Sequence, residues 1–149
     1  LIVKGNGFHG LQEPQSIIDA GNSGTTLRLN DGNIGRSKFL TTFTGDASLS
    51  RRPMGRVINP LSQMGANIVG RKENKLLPIT VIPAKESLQG IDYQMPMASA
   101  QVKSAILLAG MNAEGKTTVT EPYTSRDHTE RMLEGFGVKF RKIWHKHNN

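Results

Sequence analysis

Met54, Val57, Ile58, Leu61 and Met64 recur at the spacing of one helix face. The pattern therefore predicts a helix over Pro53–Met64 with that stripe turned inward. Pro53 suits its first position, whereas Pro60 lies inside and is expected to kink or split it. Ser99–Ala109 is rich in Ala and Leu, opens on a serine suited to an N-cap and stops at Gly110. A third helix is expected after Asp127, which with Glu130 forms an aspartate version of a capping box ahead of Met132, Leu133 and Phe136. β-Branched content predicts strands at Phe39–Thr44, Leu77–Ile82 and Thr117–Thr120, with Glu73-Asn74 as a hairpin turn. Met95 and Met97, on either side of Pro96, read as packing residues.

This order of elements occurs twice. The first copy runs from Asn22-Ser23-Gly24-Thr25-Thr26 through Thr41-Thr42-Phe43-Thr44 to a helix ending at Gly65-Ala66-Asn67-Ile68. The second runs from Ser99-Ala100-Gln101-Val102-Lys103 through Thr117-Thr118-Val119-Thr120 to a helix ending at Gly137-Val138-Lys139-Phe140. Each copy reads as a small-residue helix start, a helix, a strand, a turn, a second helix, a glycine and a strand. Such alternation predicts a layered α/β (α+β) domain. Repeat-like units at about 19–82 and 95–141 lie within one domain over 1–141, and 142–149 reads as a basic tail.

The 149 residues suit a single domain. No apolar run approaches the ~20 residues of a membrane helix, so no membrane partner is expected. With no cysteine, disulfides, thiolate metal sites and thiol nucleophiles are excluded, and a reducing, cytoplasmic location is expected. The opening Leu1-Ile2-Val3-Lys4-Gly5 has no signal-peptide layout and reads as a start in mid-domain. Lys and Arg outnumber Asp and Glu by 19 to 12, a net charge of +7. That excess suits nucleic acid or small anionic substrates.

Gly110–Thr117 matches the P-loop expression, but that motif needs a strand before it and a helix after it. Here the order is reversed, so a turn is expected. Four helix starts suit anions better. Ser99-Ala100-Gln101, with Lys103 and Ser104 close by, offers free amides and hydroxyls, although an ordinary N-cap reads the same way. Asn22-Ser23-Gly24-Thr25-Thr26 repeats the device, and Gly24 would let an anion approach the backbone. Arg51-Arg52-Pro53 and Ser125-Arg126-Asp127-His128 bring guanidinium groups to the other two starts; both also read as solvated turns. His128 suits either acid–base work or a structural cap, and His145-Lys146-His147 either a metal or a frayed tail. Convergence of these ends would form a pocket for a polyanionic substrate.

Four ordered segments carry a resemblance: Asp19-Ala20-Gly21-Asn22-Ser23-Gly24-Thr25-Thr26-Leu27-Arg28-Leu29, Arg51-Arg52-Pro53-Met54, Ser99-Ala100-Gln101-Val102-Lys103-Ser104-Ala105 and Ser125-Arg126-Asp127-His128-Thr129-Glu130-Arg131. Together they resemble the 5-enolpyruvylshikimate-3-phosphate synthases of the bacterial Ser-Ala-Gln class. The resemblance implies a partial lobe of repeated βαβαββ units with helices packed under sheets. It implies transfer of the enolpyruvyl group of phosphoenolpyruvate to shikimate 3-phosphate, with no metal or other cofactor. By resemblance, Ser99, Gln101 and Arg126 contact shikimate 3-phosphate. Asn22, Gly24, Arg52 and Gln101 belong to the phosphoenolpyruvate site, which the inhibitor glyphosate also occupies.

The chain departs from the family in several places. No Lys-Ser-Arg segment precedes Leu1, and the second lobe, with its acidic general base, has no counterpart. Asn30-Asp31-Gly32-Asn33 replaces an apolar helix with poor helix formers, and Ile143-Trp144-His145-Lys146-His147 also leaves the pattern. These departures imply an incomplete lobe that is inactive alone and self-associates through exposed sheet edges. Catalytic residues are therefore not assigned to this segment. The relative acting on UDP-N-acetylglucosamine is the nearest alternative. It usually carries a cysteine in the loop corresponding to about Asp46–Arg51, although some members use aspartate; Ser99-Ala100-Gln101 and Asp127-His128-Thr129-Glu130 argue against it. A basic nucleic-acid module would interleave aromatics with charge, which only Phe140 and Trp144 of the tail do. No nucleic-acid partner is expected. A remnant binding neither substrate is the third reading.

Overall fold

The computed structural model describes residues 1–7, 10–34 and 38–143. Its architecture is mixed α/β, as the alternating pattern predicts. In the first copy β1 (Ile18–Asp19) leads through α1 (Gly24–Ile34) to β2 (Thr41–Thr44), which pairs with β1 in parallel, Ile18 opposite Phe43. A short 3-10 turn (Leu49–Arg51) and α2 (Gly55–Gln63) follow. Then β3 (Asn67–Gly70), the single helical turn α3 (Arg71–Asn74) and β4 (Leu76–Ile82) complete a sheet of order β1-β2-β4-β3. In the second copy β5 (Asp92–Gln94) leads through α4 (Ala100–Gly110) to a parallel partner β6 (Thr118–Thr120), and α5 (His128–Gly135) follows. Both copies thus begin with the same unit, two parallel strands joined by a crossover helix.

The apolar stripe of α2 falls where its spacing puts it. Met54, Val57, Ile58, Leu61 and Met64 are buried against Phe43, Ile79 and Val81 of the first sheet, and Leu27 of α1 and Ile106 of α4 join the same core. The strands fall inside or within one residue of the expected ranges, and Ser99 caps α4. Glu73 and Asn74 lie in the tight turn between β3 and β4, where Lys72, Glu73 and Asn74 all take left-handed φ of 51, 56 and 63°. The second helices of the two copies stop alike. Gly65 and Gly137 have φ of 99 and 83°, and the next amide returns to the carbonyl five residues back, Ala66 to Leu61 and Val138 to Leu133. Only glycine takes that conformation without strain at a helix C-terminus.

Several expectations are corrected. Pro53 precedes α2 by two residues instead of opening it, and Pro60 lies within α2 without splitting it. Pro60 costs the Arg56 carbonyl its usual amide partner, while the buried face of the helix holds the rest together. Asn30-Asp31-Gly32-Asn33 continues α1 rather than ending it. The Asn30 side-chain amide donates to the Thr26 carbonyl at 2.7 Å, and packing of α1 on α4 overrides weak propensity. The aspartate capping box does not form: Asp127 makes no side-chain cap, and Glu130 turns inward to Lys103 at 2.7 Å. Val138–Phe140 forms no strand. Met95 is buried as a packing residue, but Met97 is about half exposed, as are Met132 and, more fully, Phe136. Gly110–Thr117 is a helix end, a turn and a strand start, which is not phosphate-loop geometry. Trp144, His145, Lys146 and His147 lie outside the described residues. Among the described residues no helix is long and apolar enough to cross a membrane.

Leu27 is fully buried where α1 meets the core. Leu27→Ala should therefore cost about 2–5 kcal/mol in urea unfolding, since it removes a filled volume. Asn30→Ala should be neutral or mildly stabilising, because alanine is the better helix former. Equal losses from the two substitutions would show that α1 is not held by packing.

Candidate functional site

Both crossover helices open on a serine. Ser23 Oγ accepts from the Thr26 amide at 3.1 Å and Ser99 Oγ from the Val102 amide at 3.4 Å, each reaching the third helical residue. Thr25 and Gln101 then occupy the second helical position of their helices, and these two residues meet. Gln101 Nε2 donates to Thr25 Oγ1 at 2.9 Å, and Gln101 Oε1 accepts from Arg28 Nη1. Two helix N-termini abut as a result, and their positive ends add to the local field.

A cleft of about 370 Å³ opens beside this junction, lined by Arg28, Arg52, Arg56, Ser99 and Gln101 among others. Its described lining holds three guanidinium groups and no carboxylate. Arg52 is fixed from behind: Nη2 donates to Asn22 Oδ1 at 2.8 Å and to Ser48 Oγ at 3.4 Å. Asn22 Nδ2 in turn donates to Asp46 Oδ2 at 2.6 Å, and Asp46 Oδ1 accepts from the Leu49 amide at 2.7 Å. The Leu49 amide and the Asn22 side chain hold the Asp46 carboxyl below its ordinary 3.8, with Arg52 adding a smaller attraction. A Cβ at Gly24 would lie 3.0 Å from Arg28 Nη1 and 3.7 Å from Arg52 Nη1, so the bare glycine keeps both guanidinium groups close to the backbone.

A second cleft of about 560 Å³ lies on the other side of Ser99 and Gln101. Across it stands the segment after β6, with Tyr123, Ser125 and Arg126 on its wall. Ser125 Oγ is buried and has no hydrogen-bond partner among the described residues. Arg126 is exposed at the rim.

The structure therefore brings Ser99, Gln101 and Arg126 to one cleft and Arg52 and Gln101 to the other, while Gly24 is buried beside Arg28 and Arg52 without lining the cleft and Asn22 stands behind Arg52. Arg51 and His128 line neither. Arg28, Arg56, Thr25 and Ser125 went unassigned in the sequence reading. For Arg28 a signal was available, because position i+4 from Gly24 shares its helix face. The partner of Thr25 comes from a distant segment, and the Ser125 hydroxyl is buried by the surrounding fold, so neither leaves a local trace.

The family described as EPSP synthase (3-phosphoshikimate 1-carboxyvinyltransferase) matches residues 1–148. The 3-phosphoshikimate 1-carboxyvinyltransferase of Thermodesulfovibrio yellowstonii is 60% identical over 138 residues, covering 93% of this chain and 32% of that protein. The protein of the same name from Bacillus thuringiensis strain Al Hakam is 59% identical over 139 residues, with the same coverage of 93% and 32%. The solved EPSP synthase of Acinetobacter baumannii superposes with a TM-score of 0.90 at 52% identity, over 93% of this chain and 31% of that one. The chain thus spans 32% of the length of these curated relatives.

Because folding lowers the Asp46 pKa, the bonds of that carboxylate stabilise fully above 3.8 and are lost as pH falls through the lower folded value. Carbon NMR of the carboxyl group should find it titrating below 3.8, and Asn22→Ala should raise it. Titration at or above 3.8 would show that the Asp46–Asn22–Arg52 chain does not form in solution.

Proposed function

Because the chain belongs to the EPSP synthase family, we propose that it supplies the part of an enolpyruvyl transferase that gathers the two anionic substrates. Shikimate 3-phosphate occupies the larger cleft. Ser99, Gln101 and Ser125 donate or accept around it, and Arg126 grips its phosphate. Phosphoenolpyruvate occupies the smaller cleft, against Arg28 and Arg52, with Gly24 buried beside them. The observation that carries this reading is Gln101, which lines both clefts. A residue shared by two anion-suited clefts is where two substrates would be brought into contact.

The chemistry proposed is addition and elimination. A proton goes to the methylene carbon of phosphoenolpyruvate, and the 5-hydroxyl of shikimate 3-phosphate gives up its own proton as it attacks the adjacent carbon to form a tetrahedral adduct. Loss of a methyl proton and of phosphate then leaves the enolpyruvyl ether. This chain's residues do the binding and orienting. Opposed guanidinium groups and helix ends offset the repulsion between two polyanions and hold them in a reactive geometry. The proton-moving groups are assigned to the length of the relatives that this chain does not match, so the 149 residues alone should bind without turnover.

Amide NMR titration of the chain with shikimate 3-phosphate, against inorganic phosphate at matched ionic strength, tests the reading. Saturable shifts at Ser99, Gln101, Ser125 and Arg126 with the sugar phosphate alone are expected. A well-dispersed spectrum with no such shifts would overturn it. Gly24→Ala should leave the melting temperature unchanged or raised, since the position has no positive φ and alanine favours helix. The same change should weaken phosphoenolpyruvate binding by crowding Arg28 and Arg52.

A further inference from the structure

Lys103 follows Gln101 by two residues on α4 and turns to the interior. Its Nζ lies 2.8 Å from Glu121 Oε2 and 2.7 Å from Glu130 Oε1, and the lysine side chain is 8% exposed, with 14% and 10% for the two carboxylates. Next to it, Ser104 Oγ and Thr129 Oγ1 are 2.6 Å apart. Glu121 directly follows β6, and Glu130 sits in the first turn of α5. Between them runs the segment that carries Ser125 and Arg126. One turn of α4 therefore holds both ends of the wall that faces Ser99 and Gln101.

Stability is a poor account of this cluster. Two carboxylates share one ammonium, which leaves a net negative charge in a buried place. Glu121 Oε1 and Glu130 Oε2 are buried and unpartnered among the described residues. A buried ion pair is often no more stabilising than apolar residues of the same shape, because desolvation offsets the attraction. Its negative charge also opposes an anion in the neighbouring cleft. Burial works against the charge on Lys103, yet its bonds to Glu121 and Glu130 outweigh that, and its pKa is raised above 10.5. What the two ion pairs supply is a set distance between three elements.

We propose that Lys103, Glu121 and Glu130 are positioning residues: they hold the Ser125–Arg126 wall at a set distance from Ser99 and Gln101, and so fit the larger cleft to a ligand that touches both walls. The proposal rests on reading that cleft as the shikimate 3-phosphate site. Inorganic phosphate, which is too small to span the cleft, is the contrasting ligand.

The variant Lys103→Met with Glu121→Gln and Glu130→Gln removes every buried charge at once and leaves no orphaned ion to unfold the chain. In this 149-residue chain, nitrogen relaxation should show amide order parameters over 123–127 falling below about 0.6, with α2 and β4 unchanged. The Kd for shikimate 3-phosphate should rise roughly tenfold, as misplacement of a contacting group predicts, while the non-saturating response to inorganic phosphate stays unchanged. Unchanged order parameters would overturn the proposal whatever the ligands do. So would loosening of the wall without selective weakening of the sugar phosphate. If the parent chain fails to bind shikimate 3-phosphate, the functional reading fails, and the order parameters alone decide the role of the cluster. Should the triple variant not fold, Glu121→Gln keeps the shape and one acceptor, and the same two readouts then decide.

Discussion

The packing of α1 on α4 is the contact on which both clefts depend. Each helix is the crossover of a parallel strand pair, and each carries its serine cap at the same place. Stacking the two units sets the second residue of one helix against the second residue of the other, Thr25 against Gln101. Two positive helix ends repel when brought together, and a glutamine bonded to both a hydroxyl and a guanidinium bridges them. The remaining positive potential has no carboxylate in the described lining of the smaller cleft to quench it. An anionic ligand would relieve that repulsion, so the architecture itself favours one.

Local pattern made some of this legible. The stripe from Met54 to Met64, the Ser99 cap and the β-branched strands depend on neighbours within a turn or two, and the sequence shows those neighbours. Gly24, Arg52, Gln101 and Arg126 stood out because their residue types suit helix starts and anions. What escaped depends on contacts far apart in the chain. Glu130 has a capping-box spacing, but Lys103, from another helix, claims its carboxylate. Asn30–Asn33 has poor helix propensity, but a partner helix carries it along. Met132 and Phe136 keep an apolar helical spacing, yet only Leu133 of that group is buried.

The two clefts differ in how much order exists before a ligand arrives. In the smaller one, Arg52 is already tied through Asn22 to Asp46, and Arg28 is already bonded to Gln101. Those guanidinium groups have largely lost their rotamer freedom, so an anion there finds donors already in place. Among the described residues, the larger cleft's wall is anchored at its ends, by Lys103 to Glu121 and Glu130, and Arg126 stands exposed at the rim. Binding there must immobilise a long side chain.

That difference explains why buried charge would be kept at the second cleft and not at the first. The smaller cleft is ordered by hydrogen bonds among its own polar side chains, directly behind the groups that would touch a ligand. Among the described residues the larger cleft has no such backing for Ser125 and Arg126, so its geometry must come from the ends of the segment. Apolar packing there would hold the ends in register less strictly, because it has no preferred angle or distance. An ammonium between two carboxylates has both, at the expense of desolvating three charges. Placed two residues beyond Gln101, it ties the less ordered wall to the same helix turn that lines both clefts.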